Sequence, residues 1–276
     1  MKKKSVISLI SYDAAYLPES VSKYYNYVDE IILGVDKNRT TWSGNSFSFD
    51  ENKLWADLSA IDGDSKISII EEDFVKSQIA IENDNYERNF LKAQCTNDWI
   101  FSIDADEYLV NPKDFFYNYC PLVERYYNKA DICMTWATPY KTINDATLVI
   151  ADEDGTPFFG ENQGMTTSKD STFTYARWTD KSAAGHNRLM SPLVAIHWSL
   201  CRDKDALHEK INNIGHSDLV ENDPFYQIWS QVTLENYEEL HNFKSSGLGT
   251  AQWPTLRAIK TEQVADYIEQ HLSKAY

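Results

Sequence analysis

Asp98-Trp99-Ile100-Phe101-Ser102-Ile103-Asp104-Ala105-Asp106-Glu107 is a short hydrophobic run that stops in an acidic turn. A β-rich stretch of this length, flanked by polar residues, reads as a buried strand. It delivers two carboxylates, Asp104 and Asp106, to the strand end. Aspartates at i and i+2 can address one hard divalent cation, Mn²⁺ or Mg²⁺, which prefers carboxylate and phosphate oxygens. The plain alternative is an acidic turn whose Glu107 enters a helix N-terminus, where acids are favourable. Alone, an Asp-x-Asp is common, so its weight comes from what precedes it.

Upstream, strand-like and helix-like segments alternate. Ser5–Ile10 ends at Ser11-Tyr12-Asp13, and Glu30–Val35 ends at Asp36. Leu17–Tyr27, Asn52–Ile61 and Ser77–Cys95 read as helices, the last carrying Arg88, and Lys66–Ile70 as a further strand. Such alternation predicts βαβ units in an α/β fold with a mainly parallel sheet flanked by helices. In open sheets of this kind, ligands bind beyond the carboxyl ends of the strands. Asp13, Asp36 and the Asp104/Asp106 pair fall at three such ends.

The chain has 276 residues, 42% hydrophobic and 13% aromatic, which fits a globular protein with a sizeable core. Its 26 Lys and Arg against 42 Asp and Glu leave a net charge of −16. That charge disfavours nucleic-acid backbones and anionic lipid surfaces as partners. No apolar run approaches the roughly 18 residues of a membrane-crossing helix. Lys2-Lys3-Lys4 with Val6–Ile10 is too short an apolar run for a secretory leader and reads as a first strand. Cys95, Cys120, Cys133 and Cys201 form no Cys-x-x-Cys pair, and this suits a reducing cytoplasm.

Four pieces together carry a resemblance: Ile7–Asp13, Val28–Asp36, Glu87-Arg88-Asn89, and Trp99–Glu107. In order and spacing, the run from Ser5 to about Asn111 resembles the nucleotide-sugar-binding half of a family-2-like glycosyltransferase with the GT-A fold. The resemblance implies a Rossmann-like sheet in one domain, residues 1–111 binding the donor and 112–276 forming a smaller, irregular acceptor side. It implies that Ser11, Tyr12, Asp13, Asp36 and Arg88 hold the nucleoside of a nucleoside-diphosphate sugar. Asp104 would face the ribose or a metal-bound water, and Asp106 would coordinate Mn²⁺ or Mg²⁺. Several enzymes of this kind use a late histidine as a further metal ligand, which points to His197 after the strand-like Ser191–Ile196. His208 and His216 compete for that role, and a histidine after a strand is more often a structural residue.

Each auxiliary residue has a plainer reading. Asp13 stands near a helix start as a cap, Asp36 closes a turn with Asn38, and Arg88 pairs with Asp84 on a helix surface. Arg39 and Trp42 belong to a polar loop or line the donor pocket. Lys210 adds a cation near the phosphates or lies on a helix surface. Trp136, Trp178 and Trp198 are candidates for stacking on a sugar. The second half offers strands at Ala130–Ala137 and Ala146–Ala151 and loop or short irregular strands from Asp152 to Ala184. Helices are expected at Asp203–Asn213, Asp223–Asn236 and Thr261–Lys274. A catalytic base is not selected, because Asp152, Glu153, Asp154, Glu161, Asp170 and Asp180 all compete.

The expectation is a cytoplasmic, metal-dependent, inverting glycosyltransferase that acts on an acceptor hydroxyl of a glycan or surface polysaccharide. A nucleotidyltransferase is the first alternative, although Ser11-Tyr12-Asp13-Ala14-Ala15 stands where it would carry a glycine-rich phosphate loop. A non-catalytic carbohydrate-binding protein is the second, and it has no use for converging strand-end acids.

Overall fold

A computed structural model describes residues 2–127, 130–179, 187–215, 225–243 and 252–275. Its first hundred residues alternate as the sequence predicts. The order is β1 (Lys4–Ile10), α1 (Leu17–Tyr24), β2 (Glu30–Asp36), α2 (Glu51–Ile61), β3 (Ile67–Glu72), α3 (Ala80–Gln94) and β4 (Trp99–Ser102). β1 pairs in parallel with β2 and β4, and β2 pairs in parallel with β3.

A central parallel strand buries both faces, so its side chains divide between two cores. Val6 and Ile10 of β1 pack with Leu33, Val35 and Phe101 under α1 and α2, where Leu17, Val21, Leu54 and Leu58 meet them. Ile7 and Leu9 face the other way, with Ile32, Ile100 and Leu91 of α3. Gly34 sets the spacing on that side. A Cβ there would stand 2.6 Å from Leu91 Cδ1 and 2.9 Å from Glu87 Oε1, so the missing side chain leaves room for these two side chains of α3 against β2. That close approach brings the polar face of α3 to the strand ends.

The second half is β5 (Glu107–Leu109), α4 (Pro112–Asp114), a π-helical turn (Phe115–Tyr119), α5 (Cys120–Tyr126), β6 (Ala130–Ala137), β7 (Pro139–Ile143) and β8 (Ala146–Ala151). It continues with β9 (Glu161–Ser168), β10 (Phe173–Tyr175), β11 (Trp178–Thr179), β12 (Asn187–His197), α6 (Lys204–Asn213), α7 (Phe225–Gln231), β13 (Thr255–Lys260) and α8 (Val264–Glu269). The main sheet runs β3-β2-β1-β4-β9-β6-β12-β5, and a smaller antiparallel sheet runs β13-β8-β7. Parallel pairs lead in the large sheet, with β9 antiparallel to both β4 and β6. The protein is therefore an α/β structure with a mainly parallel sheet flanked by helices.

Three expectations change. β9 is a full strand of the main sheet inside the stretch read as loop or short irregular strands, because Glu-Asn-Gln-Gly-Met-Thr-Thr-Ser has no apolar alternation. Its burial comes from strands on both sides, a context local propensity cannot see. β7 and β13 were also not anticipated. The expected C-terminal helix is broken, with a 3₁₀ turn at Thr261–Gln263 before α8 and another at Leu272–Lys274. The four cysteines are buried and unpaired. Among the described residues, no helix is long and apolar enough to cross a membrane.

Candidate active site

Beyond the carboxyl ends of β1, β2 and β4 lies a cavity of about 510 Å³. Ser11, Tyr12 and Asp13 reach it from β1, Asp36 from β2, Arg88 from α3, and Asp104 and Asp106 from the turn after β4. His197 reaches it from the end of β12, where it is the cross-strand partner of Glu107. These eight residues singled out from the sequence thus line one space.

Asp104 is held by Arg88, whose Nη1 donates to Oδ1 at 2.9 Å, while Arg177 Nη2 stands 3.9 Å from Oδ2. Burial would raise its pKa, but Arg88 and Arg177 outweigh that and pull it down to about 2. The helical pairing of Arg88 with Asp84 is also present, at 2.6 Å, but it is buried rather than on a surface. Arg88 Nη1 donates as well to Ser102 Oγ at 2.6 Å. A buried cation satisfied from α3, β4 and the acidic turn fixes those three elements together.

Asp106 is only 1% exposed. Its Oδ2 accepts from Arg202 Nη2 at 2.6 Å and from Lys210 Nζ at 2.7 Å. Burial opposes its ionisation, yet these charges hold its carboxyl well below the usual range. Oδ1 faces His197 Nε2 at 3.8 Å, which is too long for a hydrogen bond. Burial, with Lys210 and Arg177 nearby, pushes the His197 pKa down to about 3 against the pull of Asp106, so the imidazole is neutral. The ring stacks on Trp136 at 3.8 Å between centroids, and the Trp136 indole N–H donates to Glu107 Oε1 at 2.7 Å.

A neutral imidazole and a carboxylate oxygen directed at one another across that gap are a donor pair suited to a divalent cation. Among the described residues, no group of three or more His, Cys, Asp or Glu is placed to hold a metal. A metal here would therefore draw its remaining ligands from phosphates or water.

Asp36 turns its carboxylate into the protein. Oδ1 accepts from the backbone N–H of Asn38 and Thr40, and Oδ2 from that of Phe74, so it organises the loops at the rim. Asp13 flanks the 3₁₀ turn Ala14–Tyr16 without a side-chain cap bond; it accepts from Ser11 Oγ and lies 3.4 Å from Arg202. Trp42 also lines the cavity and donates its indole N–H to Glu87 Oε2 at 2.7 Å.

Some candidates lie elsewhere. Arg39 pairs on the surface with Glu51 and Glu71. His208 is exposed beside Asn212. Trp198 packs against Tyr108 rather than lining the cavity, whereas Trp136 and Trp178 do line it. His216 and Asp180 lie outside the described residues. Of the remaining acids proposed as a base, Glu161 lines the cavity, and Asp152, Glu153, Asp154 and Asp170 do not.

Sequence reasoning missed Glu107, Arg177 and Arg202 as parts of the site. Glu107 is wholly buried and takes both Nη groups of Arg177, at 2.7 and 2.6 Å, together with the Asp104 backbone N–H. Arg177 sits in the stretch read as loop or short irregular strands, and nothing local marks it. The one available signal was arithmetic: a cluster of buried acids requires cations, and few were assigned.

No protein-family profile and no curated protein matches this sequence. Solved structures with a similar chain arrangement include residues 1–349 of S. aureus TarS. That match has 13% identity, covers 85% of this chain and 76% of that one, and has a TM-score of 0.41. Mannosyltransferase PcManGT from Pyrobaculum calidifontis, solved with GDP-Man and Mn²⁺, is 12% identical over 83% of this chain and 68% of its own, with a TM-score of 0.47. The inositol-1-phosphate CTP transferase from T. maritima is 9% identical, covering 78% and 98%, with a TM-score of 0.37. The chemistry of the site accordingly rests on its own residues.

Proposed function

We propose that the protein is a metal-dependent glycosyltransferase that moves a sugar from a nucleoside-diphosphate sugar to an acceptor hydroxyl, with inversion, in glycan or surface polysaccharide synthesis. The observation that supports this is the gathering of Asp13, Asp104, Asp106 and His197 with Arg88, Arg177, Arg202 and Lys210 around one cavity. A departing diphosphate gathers negative charge, and arginine and lysine donors already held in place beside it lower the cost of that charge.

In this reading Asp106 and His197 hold Mn²⁺ or Mg²⁺, and Asp104, fixed by Arg88, addresses the ribose. A cation held there would act as a Lewis acid and offset the charge that develops on the diphosphate. Ser11, Tyr12, Asp13 and Arg88 form the nucleoside end, and Asp36 shapes it through the loops its carboxylate holds. Glu161, on the rim with Trp136 and His197, takes the acceptor proton as general base. The rival nucleotidyltransferase reading is weakened by Asp13, a half-buried acid where a triphosphate-binding loop would stand.

The test is thermal denaturation with nucleoside diphosphates in Mn²⁺ and in EDTA. At about a hundred times Kd, a metal-bridged ligand adds roughly 2.7 kcal/mol, and only in the presence of metal. Equal stabilisation under both conditions would remove the metal from the mechanism, and none in either would remove the donor.

A further inference from the structure

We propose that Lys210 is the resident counter-ion of Asp106 in the free protein and passes to the donor diphosphate when a divalent cation takes Asp106. The inference rests on the donor-and-metal reading above. It adds an exchange step that makes metal and diphosphate bind as a pair.

Asp106 cannot stand alone as a buried charge, so something must neutralise it before any ligand arrives. Two cations share its Oδ2, Arg202 at 2.6 Å and Lys210 at 2.7 Å, and both also approach Asp13, at 3.4 and 3.9 Å. They are not held alike. Arg202 donates Nε to the Ser199 carbonyl at 3.0 Å and lies over the Tyr16 ring at 4.7 Å, so its planar fork is fixed from three sides. Lys210 is a point charge on a flexible stem, and its ion-pair partners are Asp106 and Asp13.

The backbone beneath Lys210 is anchored independently. α6 carries Asn213, whose Oδ1 accepts from Thr41 Oγ1 at 2.7 Å and from Asn45 Nδ2 at 2.9 Å. A side-chain swing therefore suffices, and the helix can stay in place.

The local charge count supplies the driving force. Asp13, Asp84, Asp104, Asp106 and Glu107 face Arg88, Arg177, Arg202 and Lys210, one carboxylate in excess. A divalent cation reverses that balance and repels the nearby ammonium. A diphosphate restores it and offers oxygens to the displaced Lys210. Metal alone must evict Lys210 from Asp106, and diphosphate alone meets an ammonium still committed to Asp106. Each ligand therefore tightens the other, by reciprocal coupling.

The test is calorimetric titration of Mn²⁺ into the nucleotide-free full chain. It is followed by titration of uridine and guanosine diphosphate at saturating Mn²⁺, taking the tighter of the two. Lys210→Met removes a charged hydrogen bond, so Mn²⁺ should bind about tenfold more tightly and the nucleotide about tenfold more weakly. Lys210→Gln should give the same opposed pair, which covers a Met variant that fails to fold. An unchanged or weaker Mn²⁺ affinity overturns the exchange, and so does an unchanged nucleotide affinity. Asp106→Asn separates the two readings. If Mn²⁺ binding survives that change, the metal assignment itself fails. If it is lost there but unmoved in Lys210→Met, only the exchange fails.

Discussion

Glu87 lies on the inner face of α3, 5% exposed, with Trp42 as its hydrogen-bond donor. Burial drives its carboxyl from 4.5 up to about 8; the Trp42 bond and Arg88 pull it down, while Asp84 and Asp36 push it up. Between those two values the folded chain keeps a proton that the unfolded chain has released. Its contribution is therefore most favourable below pH 4.5 and is lost as pH rises toward 8. At about 1.4 kcal/mol per pH unit, the loss reaches roughly 4 kcal/mol by pH 8.

Glu87→Gln keeps an oxygen for the Trp42 indole and has no charge to bury, so it imitates the protonated acid at every pH. With about 2.1 cal/mol/K of unfolding entropy per residue over 276 residues, the variant should melt about 5–7 °C above the wild type at pH 8. At pH 5 the two should lie within about 2 °C of each other. Scanning calorimetry at both values is the assay. A gain at pH 8 no larger than at pH 5 would refute the argument that Glu87 is protonated in the folded chain.

Glu107→Gln should cost about 3–5 kcal/mol, because it strips the charge partner from buried Arg177. A urea midpoint close to the wild-type value would sink that claim. His197→Phe preserves the stack on Trp136 and removes the nitrogen facing Asp106. It should leave apo melting within about 1 kcal/mol while weakening Mn²⁺ binding about tenfold, and a metal titration indistinguishable from wild type would dismiss His197 as a ligand. Glu161→Gln should lower sugar transfer about a hundredfold or more with donor affinity intact, as loss of a general base does. Retained transfer would send the search to another carboxylate.

The site also shows how a strongly acidic chain can gather several cations around one cavity. Arg88, Arg177 and Arg202 are each 8% exposed or less, and each is paired with a carboxylate that is itself buried, Asp84, Glu107 and Asp106 in turn. Net charge reports the solvated surface, whereas these groups neutralise one another inside. The −16 total therefore argues against polyanionic partners without arguing against one diphosphate.

Local sequence determined the parallel half of this protein. In β1, β2 and β4, apolar runs of strand length end in polar groups, and the helical periodicity of Leu17, Val21 and Tyr24 supplies the crossover. These patterns repeat every two or 3.6 residues and are legible within a single element. Asp13, Asp36, Asp104 and Asp106 were legible for the same reason, since a strand end can be read from the strand. Tertiary structure alone decided the rest. β9 is a strand because β4 and β6 flank it, not because Glu-Asn-Gln-Gly-Met-Thr-Thr-Ser favours one. Arg177 meets Glu107 across seventy positions, and Arg202 meets Asp106 across ninety-six. A buried carboxylate demands a cation without saying from where along the chain it comes, because Coulomb attraction depends on distance in space and leaves no period in the sequence.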